Sequence, residues 1–186
     1  MKRTLALATL VVLLLPVALA AKDSKDSRDS RNTLVRFEGG IGVIPVSSGV
    51  GTDPTATTVN RNIVRGVQPP GQIWVIADLS ANVKTDGQIR VDGRGLLLGG
   101  GNGIGTNASQ SVFATLICEA TAPFVEHSTP TSPGVALAPN GDFHIDDVLS
   151  PAPPATCASP VLLIRSAAGT THPWFAAGIP KRDNDD

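Results

Sequence analysis

The chain has 186 residues, with 15 Lys+Arg against 16 Asp+Glu and a formal net charge of −1. Charged residues make up 17% and are scattered in both signs, which excludes the clustered basic face that phosphate backbones require. Nucleic acid is therefore not an expected partner. Two Trp, five Phe and no Tyr leave little for a face that stacks on sugars.

Lys2 and Arg3 precede an apolar run from Leu5 to Leu15 broken only by Thr9, and Pro16 then leads to Ala18-Leu19-Ala20. That order is a secretory signal peptide over residues 1–20, cut between Ala20 and Ala21. An uncleaved anchor is the alternative, but the stretch from Thr4 to Ala21 is near the lower limit of ~17–20 residues for a span. No cysteine follows the run, so the lipid attachment of bacterial lipoproteins has no acceptor. Cleavage lowers Lys+Arg from 15 to 13 and moves the net charge from −1 to −3. No later stretch is long and apolar enough to span a bilayer, so no integral membrane segment is expected after cleavage. The remainder fits one domain.

Residues 22–31 read Lys-Asp-Ser, Lys-Asp-Ser, Arg-Asp-Ser, Arg. A three-residue repeat without an apolar side chain cannot bury surface, so residues 21–32 are expected to be a disordered charged leader. Lys181 to Asp186 forms a second charged tail over 181–186.

The body over 33–180 lacks any apolar periodicity of 3.6 sustained over three turns. Short apolar runs bounded by Gly, Pro, Asn and Asp appear instead, the pattern of an all-β domain. Strands are expected at 34–38, 41–46, 62–67, 72–79, 81–84, 88–92, 95–98, 111–120, 135–138, 142–146, 161–165 and 174–177. The segment Gln72-Ile-Trp-Val-Ile-Ala-Asp is apolar on both faces and reads as a central strand. Asp86-Gly87 and Asn140-Gly141 suit two-residue hairpin turns flanked by alternating apolar residues. Both begin the template (Asp/Asn)-Gly-x-φ-x-φ-Asp, with φ apolar. This is either what any tight hairpin looks like or an internal repeat, one hairpin in each half of a sandwich. The expected fold class is all-β: a β-sandwich (Greek-key or Ig-like) or a related closed β architecture with one disulfide.

That disulfide follows from the only two cysteines, Cys118 and Cys157, an even pair without CxxC spacing in an exported chain. It closes a loop of about 40 residues, worth roughly 4 kcal/mol on the chain-entropy model. Alternation over 111–120 puts Cys118 on the side of Val112, Ala114 and Leu116. Cys157 lies in a proline-dense loop.

Chemistry is thinly marked. Gly99-Gly-Gly-Asn-Gly-Ile-Gly105 has no Gly-Lys-Ser/Thr and opens no helix, so it reads as a connection and not a phosphate loop. No Gly-x-Ser-x-Gly or Ser-x-x-Lys is present. His144, two residues from both Asp142 and Asp146, shares a strand face with them and is the one candidate metal cluster. Ordinary alternation, with Phe143 and Ile145 inward, explains the same three residues and is preferred. His127 and His172 read as loop residues. Trp74 reads as core, and core packing is also preferred over sugar stacking for Trp174-Phe175. Asn107-Ala108-Ser109 matches a glycosylation sequon.

Several stretches resemble uncharacterised exported bacterial proteins: Arg36-Phe-Glu-Gly-Gly-Ile-Gly-Val-Ile-Pro-Val46, Val59-Asn-Arg-Asn-Ile-Val-Arg-Gly-Val67, Asn140-Gly-Asp-Phe-His-Ile-Asp-Asp-Val-Leu149, Pro160-Val-Leu-Leu-Ile-Arg165 and Trp174-Phe-Ala-Ala-Gly-Ile-Pro180. The resemblance implies export and a single domain and carries over no catalytic residue.

The expected product is a secreted or periplasmic β-domain protein with a binding, surface or structural role, no cofactor, and an envelope or extracellular protein as partner. The alternatives are a hydrolase or metal-dependent enzyme with a site built from loops, and a small-ligand carrier.

Overall fold

Two glycines turn the chain where the sequence places them. A computed structural model describes residues 32–52 and 55–181, and over 47–59 only the backbone. The signal peptide, its Ala20–Ala21 cleavage point, the leader up to Arg31 and tail residues 182–186 lie outside the described residues. Strand β5 (Asp78–Lys84) turns into β6 (Gln88–Arg94), and β10 (Val135–Ala136) turns into β11 (Phe143–Val148). Gly87 N donates to Lys84 O at 3.0 Å, and Gly141 N donates to Ala138 O at 2.8 Å. Gly87 (φ 86°) and Gly141 (φ 82°) are left-handed, whereas Asp86 and Asn140 are not. Each loop is therefore a turn completed by one left-handed glycine, not the two-residue turn expected with positive φ at both positions.

The other strands are β1 (Thr33–Gly42), β2 (Val46–Thr52), β3 (Thr55–Arg61), β4 (Trp74–Val75), β7 (Leu97–Leu98), β8 (Ser111–Ile117), β9 (His127–Ser128), β12 (Val161–Ser166) and β13 (Trp174–Pro180). The described residues contain no helix. A single nine-stranded antiparallel sheet runs β10-β8-β12-β13-β1-β5-β6-β11, with β9 beside β8. Its two ends meet. Ala138 N donates to Asp142 O at 2.9 Å, and Ser128 and Ser150 exchange backbone hydrogen bonds of 3.1 and 2.8 Å. Of the two expected architectures, this nearly closed sheet is the one realised.

Inside it lies one continuous apolar cluster. Phe37, Leu79, Val83, Ile89, Val91, Leu116, Ile145 and Ile164 are each at most 2% exposed. Such a closed antiparallel sheet is just wide enough for side chains to fill. Phe143 seats its ring over Gly93, where an added Cβ would stand 2.1 Å from the ring.

β8, β12 and the first half of β13 are buried on both faces because connecting segments cover their outer side. Trp174 takes backbone and indole bonds to Gln68 O and Asn62 O, both 3.1 Å. Trp74 stacks on Phe175 at 4.1 Å. Both Trp residues and Phe175 are thus core, as preferred. Arg165, only 6% exposed on the same side, donates to Glu126 Oε2 at 2.6 Å and His172 O at 2.8 Å and lies over Phe113.

Three strand expectations fail. Residues 72–79 do not form a central strand: Trp74–Val75 pairs with β7 outside the main sheet, and Asp78–Leu79 belong to the start of β5. Ile73 and Val75 there are exposed, since an apolar run alone does not say which backbone groups find ladder partners. Residues 62–67 form a tight turn, with Arg65 (φ 50°) and Gly66 (φ 85°) left-handed between Val64 and Val67. The strand expected at 34–38 lies within β1, but the one expected at 41–46 is split between the end of β1 and the start of an unforeseen β2–β3 hairpin.

Gly141 is needed twice over: its φ is positive, and an added Cβ would lie 2.5 Å from Leu96 N, which itself donates to Gly141 O. Gly141→Ala should lower the unfolding free energy by about 2–3 kcal/mol in urea denaturation. An effect below about 0.5 kcal/mol would contradict the geometry.

Candidate functional site

Four neighbouring strands, β1, β5, β6 and β11, keep one face in solvent. Alternation puts Val35, Phe37, Ala81, Val83, Ile89, Val91, Phe143 and Ile145 inward, leaving polar residues outward. The register sets these in cross-strand rows. One row is Arg36, Asn82, Arg90, Asp146, the next is Glu38, Ser80, Asp92, His144, and Asp78 faces Arg94 beyond them.

The two copies of the hairpin template lie side by side rather than in separate halves of a sandwich. β6 and β11 pair antiparallel with Val91 opposite Ile145, residues that occupy the same template position. A local two-fold axis therefore passes through that pair. It exchanges Asp92 with Asp146 and Arg90 with His144, so the two ion pairs across the junction are mates. His144 Nδ1 lies 2.7 Å from Asp92 Oδ1, and Arg90 Nη2 lies 3.6 Å from Asp146 Oδ2. All four side chains are largely exposed, so each pair adds little to stability.

A cleft of about 530 Å³ opens on this face, lined by Ser80, Asp92, Arg94, Asp142, Phe143 and His144. A second of about 160 Å³ adjoins it, sharing Ser80 and Asp92 and adding Arg36, Glu38, Asn82 and Arg90. Within the first, Asp142 is fully engaged: Oδ1 accepts from Gly95 N (3.1 Å) and Oδ2 from Asn140 Nδ2 (2.8 Å). Because a carboxylate only accepts, His144 is the donor of this bond through Nδ1.

Asp142, His144 and Asp146 thus share a face, but His144 bonds to Asp92, Asp146 to Arg90, and Asp142 to its own turn. Among the described residues no three His, Cys, Asp or Glu side chains are grouped to hold a metal ion. The histidines do not converge. His127, on β9 and not a loop, is buried with Nδ1 2.9 Å from Pro151 O. His172 bonds Ser166 O and meets Phe113 edge-on. The glycine-rich connection folds back on itself through Leu98 N to Thr106 O and Gly105 N to Leu98 O.

Cys118 and Cys157 are joined, with Cα atoms 4.7 Å apart, tying the end of β8 to the proline-dense loop. Ser159 N donates to Cys118 O, and Arg65 donates to Glu119 O and Ser159 Oγ while lying over Phe124. No family model, no curated protein and no solved structure matches the chain.

Two outcomes follow from these contacts. The Glu119 carboxyl is held below its usual range, chiefly by the hydrogen bond from Val125 N (3.2 Å), with nearby His127 adding to it and burial opposing. A carboxyl lowered by folding gives stability that is present above its unfolded value of about 4.3 and lost as pH falls through the folded value. Protection factors over residues 119–126, the exchange rates divided into their intrinsic values at each pH, should therefore fall below pH 4 in the wild type, and Glu119→Gln should flatten that dependence. Asn107 Nδ2 is bonded to both Leu137 O (2.9 Å) and Ala138 O (3.0 Å). The folded protein should therefore resist glycosylation at Asn107 by an oligosaccharyltransferase, while the reduced, unfolded chain is modified. Equal modification of both by mass spectrometry would count against it.

Proposed function

We propose that this is an exported protein that acts outside the cytoplasm as a binding domain, with its partner docking on the outer face of β1, β5, β6 and β11. The observation that carries this reading is the pair of adjoining clefts on that face, which share Ser80 and Asp92. β8, β12 and the first half of β13 are roofed by connecting segments, whereas this face is open and polar. The disulfide suits an oxidising compartment, and the N-terminal sequence supplies the export signal.

Dispersal of His127, His144 and His172 over separate environments ranks binding above hydrolysis. An interior filled by core side chains ranks it above a carrier. The partner we favour is an envelope or extracellular protein, in a bacterial setting.

Full-length chain made in a bacterium should be recovered outside the cytoplasm with Ala21 as its first residue and no alkylatable thiol before reduction. Retained Met1 with two free thiols would sink the export reading. Immobilised mature protein should capture a partner from its native envelope or culture fluid, and Asp92→Lys with Arg36→Glu should abolish capture while the urea midpoint stays unchanged. Undiminished capture by that double variant would move the binding surface elsewhere.

A further inference from the structure

The larger cleft distinguishes its donors from its acceptors. Asp142 has both oxygens occupied by Gly95 and Asn140, and one oxygen of Asp92 is taken by His144. The Arg94 guanidinium and the Ser80 hydroxyl, which line the same cleft, form no hydrogen bond or ion pair among the described residues. The uncommitted donors of the cleft are thus the five N–H groups of one planar fork and one hydroxyl, set beside the second oxygen of Asp92. A planar fork of donors matches a planar pair of acceptor oxygens.

We propose that this cleft binds a carboxylate group, with Arg94 as its two-pronged donor and Ser80 beside it. The inference rests on the binding face assigned above and names the chemistry that face recognises: an acidic side chain or chain terminus of the partner protein. Two features favour a carboxylate over a phosphate. Asp92 and Asp142 place two negative charges on the cleft wall, a penalty that doubles for a dianion. Opposite Arg94 the register sets Asp78, which leaves the guanidinium balanced rather than strongly electropositive. His144, fixed through Nδ1 by Asp92, lines the cleft without being needed as a donor.

The test is a titration of the mature, oxidised protein with sodium acetate at constant ionic strength, followed by amide NMR shifts. Saturable shifts confined to Gly93–Gly95, Ser80 and Asp142–His144, half-complete in the millimolar range, are expected for so small a ligand. Arg94→Gln should weaken acetate at least about tenfold with strand shifts otherwise unchanged, and Arg94→Lys should recover only part, because an ammonium lacks the fork. Linear, unsaturable shifts, insensitivity to Arg94→Gln, or tighter binding of inorganic phosphate would each overturn the assignment. If acetate fails while partner capture still depends on Asp92 and Arg36, the carboxylate falls and the binding face stands. If capture is also insensitive to those residues, both fall.

Discussion

A β-sheet that ends in solvent leaves a row of unpaired amide groups on each edge, and the fold of this chain is organised around removing those two edges. The strands that would form them are β8 and β11. Both are covered by a single stretch of chain, residues 127–142, which pairs with β8 through β9 and β10 and reaches β11 at Ser128–Ser150 and Ala138–Asp142. Pro130 and Pro133 interrupt that stretch, and Thr129 fills the gap by bonding Ala114 through both its backbone and its hydroxyl. Closure is what turns alternating strands into a sealed interior, and every core residue from Phe37 to Ile164 depends on it.

The cross-links sit where closure is least continuous. Cys118 follows β8 directly, and its partner Cys157 holds the loop that leaves the seam after Ser150. Arg65 reaches the same place from a turn far earlier in the chain. Its left-handed backbone costs energy of order 1–3 kcal/mol, offset by the side chain's bonds to Glu119 and Ser159 and its contact with Phe124. Short strands contribute few ladder bonds, so a covalent tie and a buried-end guanidinium do the holding that strand length does elsewhere.

Local patterning was legible in the sequence, while pairing was not. The hairpin at Asp86-Gly87, the runs of β8 and β12, and the disulfide could each be read from neighbouring residues or by counting cysteines. Residues 72–79 could not, because Trp74 and Leu162 sit in equally apolar runs, and only the tertiary fold says which run finds partners on both sides. The outward direction of His144 and Asp146 followed from alternation. Their partners Asp92 and Arg90 did not, since register between β6 and β11 is set by distant closure. The shared hairpin template was the one available clue, and it marked adjacency rather than separation.

That adjacency extends beyond the hairpins. Counting outward from the β6–β11 junction, the order is β6, β5, β1, β13 on one side and β11, β10, β8, β12 on the other, with β12 and β13 rejoining. Two four-stranded halves thus face each other about the axis through Val91 and Ile145. The symmetry fails on the outside. Connecting segments roof β8, β12 and the first half of β13, whereas β1, β5, β6 and β11 stay open. At the axis itself one mate of the charge pair is Arg90 with Asp146 and the other is His144 with Asp92, so equivalent backbone positions carry different chemistry. The open surface therefore straddles the axis, with β1, β5 and β6 from one half and β11 from the other, and it is at their junction that Arg90, Asp92, His144 and Asp146 meet.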